Sequence, residues 1–151
     1  CIRDSLNVDI LGMKGKSRVI TVPADIQKLW NDVRVILRNP VIARYELKED
    51  IQLGKKAGIT ALCEYSLLSD NEYPTYAITK KEITESGIRK MKQVHSGEEI
   101  GCVVLELGYF IDFKNKKLED PLSVTLSLTE SEKQDERIGI SIKRMLEEYV
   151  W

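Results

Sequence analysis

The chain has 151 residues, of which 42% are hydrophobic and 31% are charged. A chain of this length can bury roughly 70% of its unfolded surface in one domain. Its 23 Lys and Arg residues nearly balance its 24 Asp and Glu residues, which argues against a domain that binds nucleic acid by neutralising many phosphates. No apolar run approaches the roughly 18 residues of a membrane-spanning helix. We therefore expect a soluble, globular protein that makes no contact with a membrane.

The first predicted elements are a short strand, a helix and a second strand. Residues 18–22 form a strand that ends at Pro23, because proline donates no hydrogen bond to a sheet. Between residues 24 and 38, six apolar side chains recur at the spacing of one helix face. Pro40 ends this helix, since the residue before a proline disfavours helical geometry. Residues 41–48 alternate apolar and polar side chains, which predicts a strand with one buried face.

A loop bracketed by glycines follows and opens a second helix. Gly54 and Gly58 flank this loop, and the residues after it carry apolar side chains on one side of the predicted helix. Pro74 then begins a strand that continues to Thr79. The polar stretch that follows contains a short predicted helix around residues 82–91.

The second half of the chain begins with its most apolar segment. Residues 100–107 are nearly all apolar, which is typical of a central strand covered on both faces. Residues 109–114 are predicted to continue this strand or to form the next one. Asp120 and Pro121 begin a short helix, because the aspartate accepts from free amides and the proline has no amide to leave unpaired. This helix is predicted to end near Leu128.

The last predicted helix has two alternative capping boxes, Thr129 with Glu132 and Ser131 with Gln134. Gly139 lies inside the helix. Because glycine costs about 1 kcal/mol relative to alanine there, we expect it to contact another backbone closely. Helices and strands alternate irregularly along the chain, so the predicted fold class is α+β, or α/β. We expect a single domain with a mixed β-sheet, flanking helices and a helical C-terminus.

The cysteines and the histidine argue against several chemistries. Cys1, Cys63 and Cys102 are odd in number and far apart, which favours a reducing cytoplasm. No cysteine pair or histidine cluster has the spacing of a zinc site, and we predict neither a metal nor a cofactor. His95 is the only histidine, and no serine elbow accompanies it. We interpret His95 as a solvated loop residue and not as a catalytic base.

Glu106, Asp112 and Lys114 suggest a metal-dependent nuclease as an alternative function. In PD-(D/E)xK nucleases, acidic side chains hold a divalent ion while a lysine orients water. Asp112 and Lys114 have the acid-x-lysine spacing, and Glu106 lies upstream. Roughly two such triplets are expected by chance in this composition. We therefore favour the interpretation of Asp112 and Lys114 as exposed strand positions.

Gly54, Lys55, Lys56 and Gly58 resemble a phosphate-binding loop in composition. Glycine amides and lysines at a helix N-terminus favour an anion. The segment lacks the spacing of a P-loop and its final Gly-Lys-Ser/Thr. An anion site and an ordinary loop with two solvated lysines both stay open as interpretations.

Several aromatic side chains are candidates for a core or an interface. Trp30 lies on the apolar stripe of its helix and Tyr76 lies on a strand, so we expect both in the core. Tyr73 stands beside a proline in a turn, and Trp151 ends the sequence. We predict that Tyr73 and Trp151 contribute to an interface.

Three stretches together resemble the C-terminal portion of bacterial winged-helix regulators of the MarR-like group. They are LRNPV at residues 37–41, GITAL at residues 58–62 with PTYAI at residues 74–78, and DPLSVTLSL at residues 120–128 with DER at residues 135–137 and the terminal Trp151. The segment of residues 58–78 is also similar to AbiEi-type antitoxin regulators. These are packing and turn residues, so the resemblance implies a relationship and no catalytic role.

The resemblance implies that a DNA-binding winged helix precedes residue 1 in a longer protein. Residues 1–151 would then form one regulatory or effector domain, and the start at Cys1 also favours a piece of a longer chain. DNA would be bound by the N-terminal domain, in a cytoplasmic and homodimeric transcription factor with a small-molecule or protein effector. We therefore predict a non-enzymatic regulatory domain. The alternatives are the nuclease and an antitoxin-like protein that binds a toxin.

Overall fold

The computed structural model describes residues 11–14, 17–20, 24–69, 71–111 and 113–151. The chain divides into two compact units, and each is described by itself. Trp151 groups with the residues up to Arg38 in the first unit, and Asn39–Val150 form the second.

The first unit contains a strand pair and a helix. The strands β1 (Leu11–Lys14) and β2 (Ser17–Ile20) pair antiparallel. The helix α1 spans Ile26–Val33, and the Asp25 side chain caps its first turn. Trp30 of α1 is buried, as its place on the apolar stripe predicts. The helix ends earlier than predicted and gives way to turns.

The second unit is built on a four-stranded mixed sheet. Its strands are β3 (Val41–Leu47), β4 (Lys55–Lys56), β5 (Thr75–Thr79) and β6 (Cys102–Leu107). They lie in the order β3-β6-β5-β4. The strand β6 runs antiparallel to β3 and parallel to β5, and β5 runs antiparallel to β4. All six residues of β6 are buried, which confirms the predicted central strand and, with it, the mixed sheet of an α+β fold.

Helices flank this sheet and form the C-terminal part of the unit. The cap of the helix that begins at Pro121 follows the prediction: Asp120 accepts a hydrogen bond from the Ser123 amide at 2.9 Å, and Pro121 is the first helical residue. A 3-10 helix spans Ile88–Lys90. The helices of this unit are α2 (Gly58–Tyr65), α3 (Lys80–Ser86), α4 (Pro121–Ser127), α5 (Glu130–Gln134) and α6 (Glu136–Tyr149).

The apolar core of this unit lies on both faces of the sheet. Because side chains alternate along a strand, Val104 and its neighbour Val103 point to opposite faces. Val104 packs in one cluster with Ile83 of α3 and Ile88 of the 3-10 helix. Val103 packs in a second cluster that includes Ala57, the residue before α2. The two clusters account for the burial of the central strand.

Two predictions about secondary structure are wrong. Residues 109–114 form no strand where the structure describes them, because β3 begins at Val41 and offers no partner beyond the pairing of Val41 with Leu107. The last helix does not begin at Thr129. The Thr129 capping box starts the separate helix α5, and Asp135 caps α6.

The expectation for Gly139 is also wrong. A Cβ atom at Gly139 would meet nothing within 4 Å, so no second backbone segment among the described residues approaches it. Gly101 has the close contact instead, because a Cβ atom there would collide with the Lys48 backbone. The helical pattern identified a costly glycine but not the reason for its presence.

Candidate functional site

A cleft of about 820 Å³ opens in the unit of residues 39–150. Strand β3 contributes Arg44 and Glu46, the turn before β5 contributes Tyr73, and the start of α6 contributes Asp135 and Arg137. The apolar part of the lining comes from α2, the segment after it, and α6: Ile59, Leu68 and Ile138. A cleft of this size can hold a small-molecule ligand.

The two arginines of this cleft each pair with an acid of the same lining. Arg44 Nε lies 3.2 Å from Glu46 Oε1, and Arg44 Nη2 donates to the Tyr73 hydroxyl at 3.1 Å. Arg137 Nη2 lies 3.0 Å from Asp135 Oδ2. The hydrogen bond from Arg137 is the main cause that holds the pKa of Asp135 below its ordinary value. The positive charges of the two arginines are therefore largely balanced by nearby acids, one on the same strand and one at the start of the same helix.

The two aromatic residues predicted at an interface belong to different units. Tyr73 is half-buried and lines the cleft. Trp151 lies in the first unit, where it lines a shallow pocket with residues 24–27. Its indole Nε1 is buried without a hydrogen-bond partner among the described residues. The structure thus assigns Tyr73 a hydrogen-bonding position in the cleft, and an interface at either residue stays a prediction.

The lysines of the predicted anion loop have partners within the chain. Lys55 Nζ lies over the Phe110 ring, 5.1 Å from its centroid. Lys56 pairs with Glu64 of α2. Gly54 has a φ of +72° and packs so closely on β5 that a Cβ atom would not fit. These contacts favour the interpretation of the segment as a structural edge of the sheet.

The amide of Gly58 already binds a carboxyl group of the same chain. Gly58 is the first residue of α2, and its amide donates to Glu119 Oε2 at 3.1 Å. The Gly58 amide, one of the groups that the predicted anion site would use, is thus already hydrogen-bonded to Glu119.

Glu119 is a buried carboxyl group that sequence reasoning missed. It is 1% exposed, and Ser127 Oγ lies 2.6 Å from its Oε1. Tyr65 donates from its hydroxyl to the Glu119 backbone carbonyl at 2.9 Å. Burial raises the pKa of Glu119 to about 7, against the opposite effect of the hydrogen bonds from Ser127 and Gly58. Its only sequence signal is an acid before a helix cap, which does not distinguish a buried group from a solvated one.

Of the predicted nuclease residues, the structure describes Glu106 and Lys114, and it places them in different surroundings. Glu106 is 4% exposed and faces the 3-10 helix, where Arg89 Nη2 lies 3.7 Å from its Oε1. Lys114 instead lines a cleft with Tyr65 and Tyr149. Asp112 lies outside the described residues. The arrangement of Glu106 and Lys114 gives no support to a shared cation site.

Three further observations concern the described part of the chain. No three His, Cys, Asp or Glu side chains within it converge in a way that could hold a metal ion. None of its helices is both long enough and apolar enough to cross a membrane. His95 is exposed, as the interpretation of a solvated loop residue predicts.

Comparison with known proteins identified no relative. No protein-family model, no curated protein sequence and no solved structure matches the chain significantly.

Proposed function

We propose that residues 39–150 form a non-enzymatic, ligand-binding regulatory module, and that the cleft of about 820 Å³ is its ligand site. The observation that carries this proposal is the pairing of both arginines of the cleft with acids of the same lining. Arg44 with Glu46, and Arg137 with Asp135, form ion pairs along single elements. Acid–base or nucleophilic catalysis needs a reactive group positioned against the substrate, and ion pairs of this kind are better suited to binding.

The lining favours a small polar ligand without a net negative charge, because Glu72 and Glu132 line the cleft in addition to the acids that pair with its arginines. The lining includes the hydroxyl-bearing residues Tyr73, Thr129 and Ser131 and the amide-bearing residue Asn71, together with a short apolar part. Such groups bind a ligand through hydrogen bonds and fix its orientation. A ligand with high charge of one sign would have to compete with the ion pairs already formed.

In this proposal the module belongs to a bacterial transcriptional regulator of the cytoplasm. The resemblance of residues 37–41, 58–78 and 120–137 to MarR-like regulators supports this role, and it implies a separate winged helix that binds DNA. The balanced charge of the chain, 23 basic and 24 acidic residues, is consistent with this division. A homodimer would match the paired half-sites that such regulators usually bind.

A thermal-shift screen tests the ligand site. The chain is mixed with nucleosides, sugars, amides and amino acids at millimolar concentration, and we expect at least one of these classes to raise its Tm. Arg44→Met and Tyr73→Phe should reduce this shift, because each removes a hydrogen-bonding group of the cleft. Lys81→Ala is the matched control, since this side chain on α3 is 82% exposed and lies outside the cleft lining. A shift that both cleft variants keep in full would overturn the proposed site.

A DNA experiment tests the regulatory role against the nuclease alternative. Incubation of the chain with duplex DNA and Mg²⁺ should leave the DNA intact. Cleavage that disappears in Asp112→Ala would overturn the non-enzymatic proposal. In a regulator, the native protein that carries this module should bind a promoter fragment reversibly, and the ligand found in the screen should change that affinity. Stable co-purification with a toxin would favour the antitoxin-like alternative.

A further inference from the structure

We propose that Glu119 is a proton-operated lock: the protein folds around the neutral carboxylic acid, and loss of its proton weakens the joint between α2 and α4. The lock consists of Glu119, the Gly58 amide at the start of α2, and Ser127 at the end of α4. It is independent of the ligand site proposed above.

Ser127 has too few hydrogens to satisfy its contacts beside an ionised Glu119. Ser127 Oγ lies 2.6 Å from Glu119 Oε1 and also 2.6 Å from the Ser123 carbonyl oxygen. A hydroxyl group has one hydrogen to donate, and neither a carboxylate nor a carbonyl has any. With an ionised Glu119, one of these two short contacts would therefore join two oxygen atoms without a hydrogen between them.

A protonated Glu119 supplies the missing hydrogen. The acid then donates from Oε1 to Ser127 Oγ, and Ser127 donates to the Ser123 carbonyl. The Gly58 amide donates to the other carboxyl oxygen, Oε2. Each contact in this series of hydrogen bonds then has one hydrogen, so the geometry fits the neutral acid and not the carboxylate.

The surroundings of Glu119 also favour the neutral form. Asp120 at the α4 cap carries a charge of the same sign as an ionised Glu119, and Lys55 on β4 acts in the opposite direction. The ammonium group of Lys55 lies over an aromatic ring, 5.1 Å from its centroid. The phenols of Tyr65 and Tyr109, which also lie near this acid, carry no positive charge. Burial is therefore the dominant influence, and it raises the pKa of Glu119 to about 7.

The sign of the pH dependence follows from proton linkage. An unfolded glutamate loses its proton near its ordinary pKa of 4.5, whereas the folded state holds the proton up to a pH of about 7. Between these values the folded state binds more protons than the unfolded state, so the free energy of unfolding falls as pH rises. Above a pH of about 7 the loss is complete. We expect the folding equilibrium constant to fall by roughly two orders of magnitude over this interval.

Glu119→Gln is the test variant. Its amide nitrogen can donate to Ser127 and its oxygen can accept from Gly58, so it imitates the neutral acid at every pH. Urea unfolding of both proteins from about pH 5 to about pH 9 should show the wild-type folding constant falling roughly 100-fold relative to that of the variant. A ratio that is constant across this range would overturn the proposal.

Glu98→Gln is the matched control. Glu98 accepts from the His95 amide and from Lys48, and the His95 hydrogen bond is the first cause that lowers its pKa. The pH dependence of its contribution to stability should therefore be confined to lower pH, so the Glu98→Gln variant should show the same pH dependence as the wild type across the tested range. A carbon-13 NMR titration of the Glu119 carboxyl group in the unchanged protein needs no variant. A midpoint near the ordinary glutamate value, in place of one near 7, would also overturn the lock.

Discussion

Two buried glutamates in the second unit are accommodated in different ways. Glu106 lies in the central strand and is 4% exposed, and Glu119 lies between α2 and α4 and is 1% exposed. Glu106 has a cationic partner in Arg89, whose own side chain is 52% exposed. Glu119 has an amide and a hydroxyl group as partners. An arginine thus reaches the buried Glu106 from the surface, whereas the hydrogen-bond donors that contact Glu119 are uncharged.

Because of this difference, the Glu106–Arg89 contact and the Glu119 contacts should respond to different solution conditions. The interaction of Glu106 with Arg89 is coulombic and reaches the solvent, so salt should weaken it. The contacts of Glu119 lie inside the protein and depend on a bound proton, so pH should control them. Substitutions at these two places should therefore differ in how much stability they remove. They should also differ in whether salt or pH changes that loss.

Glu119→Ala should give the largest loss of stability. It leaves the Gly58 amide and the Ser127 hydroxyl without their partner and creates a cavity. We expect a decrease of about 3 kcal/mol in the free energy of unfolding, measured by urea denaturation at neutral pH. A decrease of less than about 1 kcal/mol would mean that water replaces the carboxyl group and that the joint does not depend on it.

Tyr65→Phe should have an intermediate effect. It removes the hydrogen bond to the Glu119 backbone carbonyl, which measures 2.9 Å, but keeps the buried ring against Tyr149, whose centroid lies 5.0 Å away. We expect a loss of about 1 kcal/mol. The loss should not vary with pH between about 5 and 8, because the contact does not involve the carboxyl group. A pH-dependent loss would show that Tyr65 takes part in the proton lock.

Arg89→Ala should have the smallest effect, and it should be the one that salt modifies. The guanidinium is largely solvated and lies 3.7 Å from Glu106 Oε1. We expect a modest loss of stability at low ionic strength and a smaller loss at about 1 M NaCl. Glu119→Gln, measured beside it, should show no comparable change with salt. If salt changed the stability of the two variants equally, the distinction between the salt-sensitive Glu106–Arg89 contact and the proton-dependent Glu119 contacts would be wrong.

The sequence predicts the sheet of this unit well because apolar periodicity is local information. The apolar run at β6 and the alternation at β3 each identify a strand without knowledge of its partners. The cleft cannot be predicted in the same way. Arg44, Tyr73 and Arg137 come from three distant segments, and only the pairing of the strands and the packing of α6 place them together.

The role of a residue such as Glu119 also depends on whether it is buried, and the sequence does not specify burial. Glu119 directly precedes the cap of α4 and Glu64 lies near the end of α2, yet Glu119 is buried and Glu64 is exposed. The glycines teach the same lesson. Gly139 disrupts a helix pattern and has open space around it, whereas Gly101 follows no distinctive pattern and has no room for a side chain. Such differences follow from tertiary contacts, which residue type alone does not specify.

The parallel pairing of β5 with β6 has a consequence for how the chain folds. A parallel pair cannot form through a tight hairpin, and here α3 and the 3-10 helix lie between its two strands. The other partner of β6, β3, is even more distant in sequence. Long loops must therefore close before the central strand gains either neighbour, which places assembly of the sheet late in folding and makes refolding slow for a chain of this length.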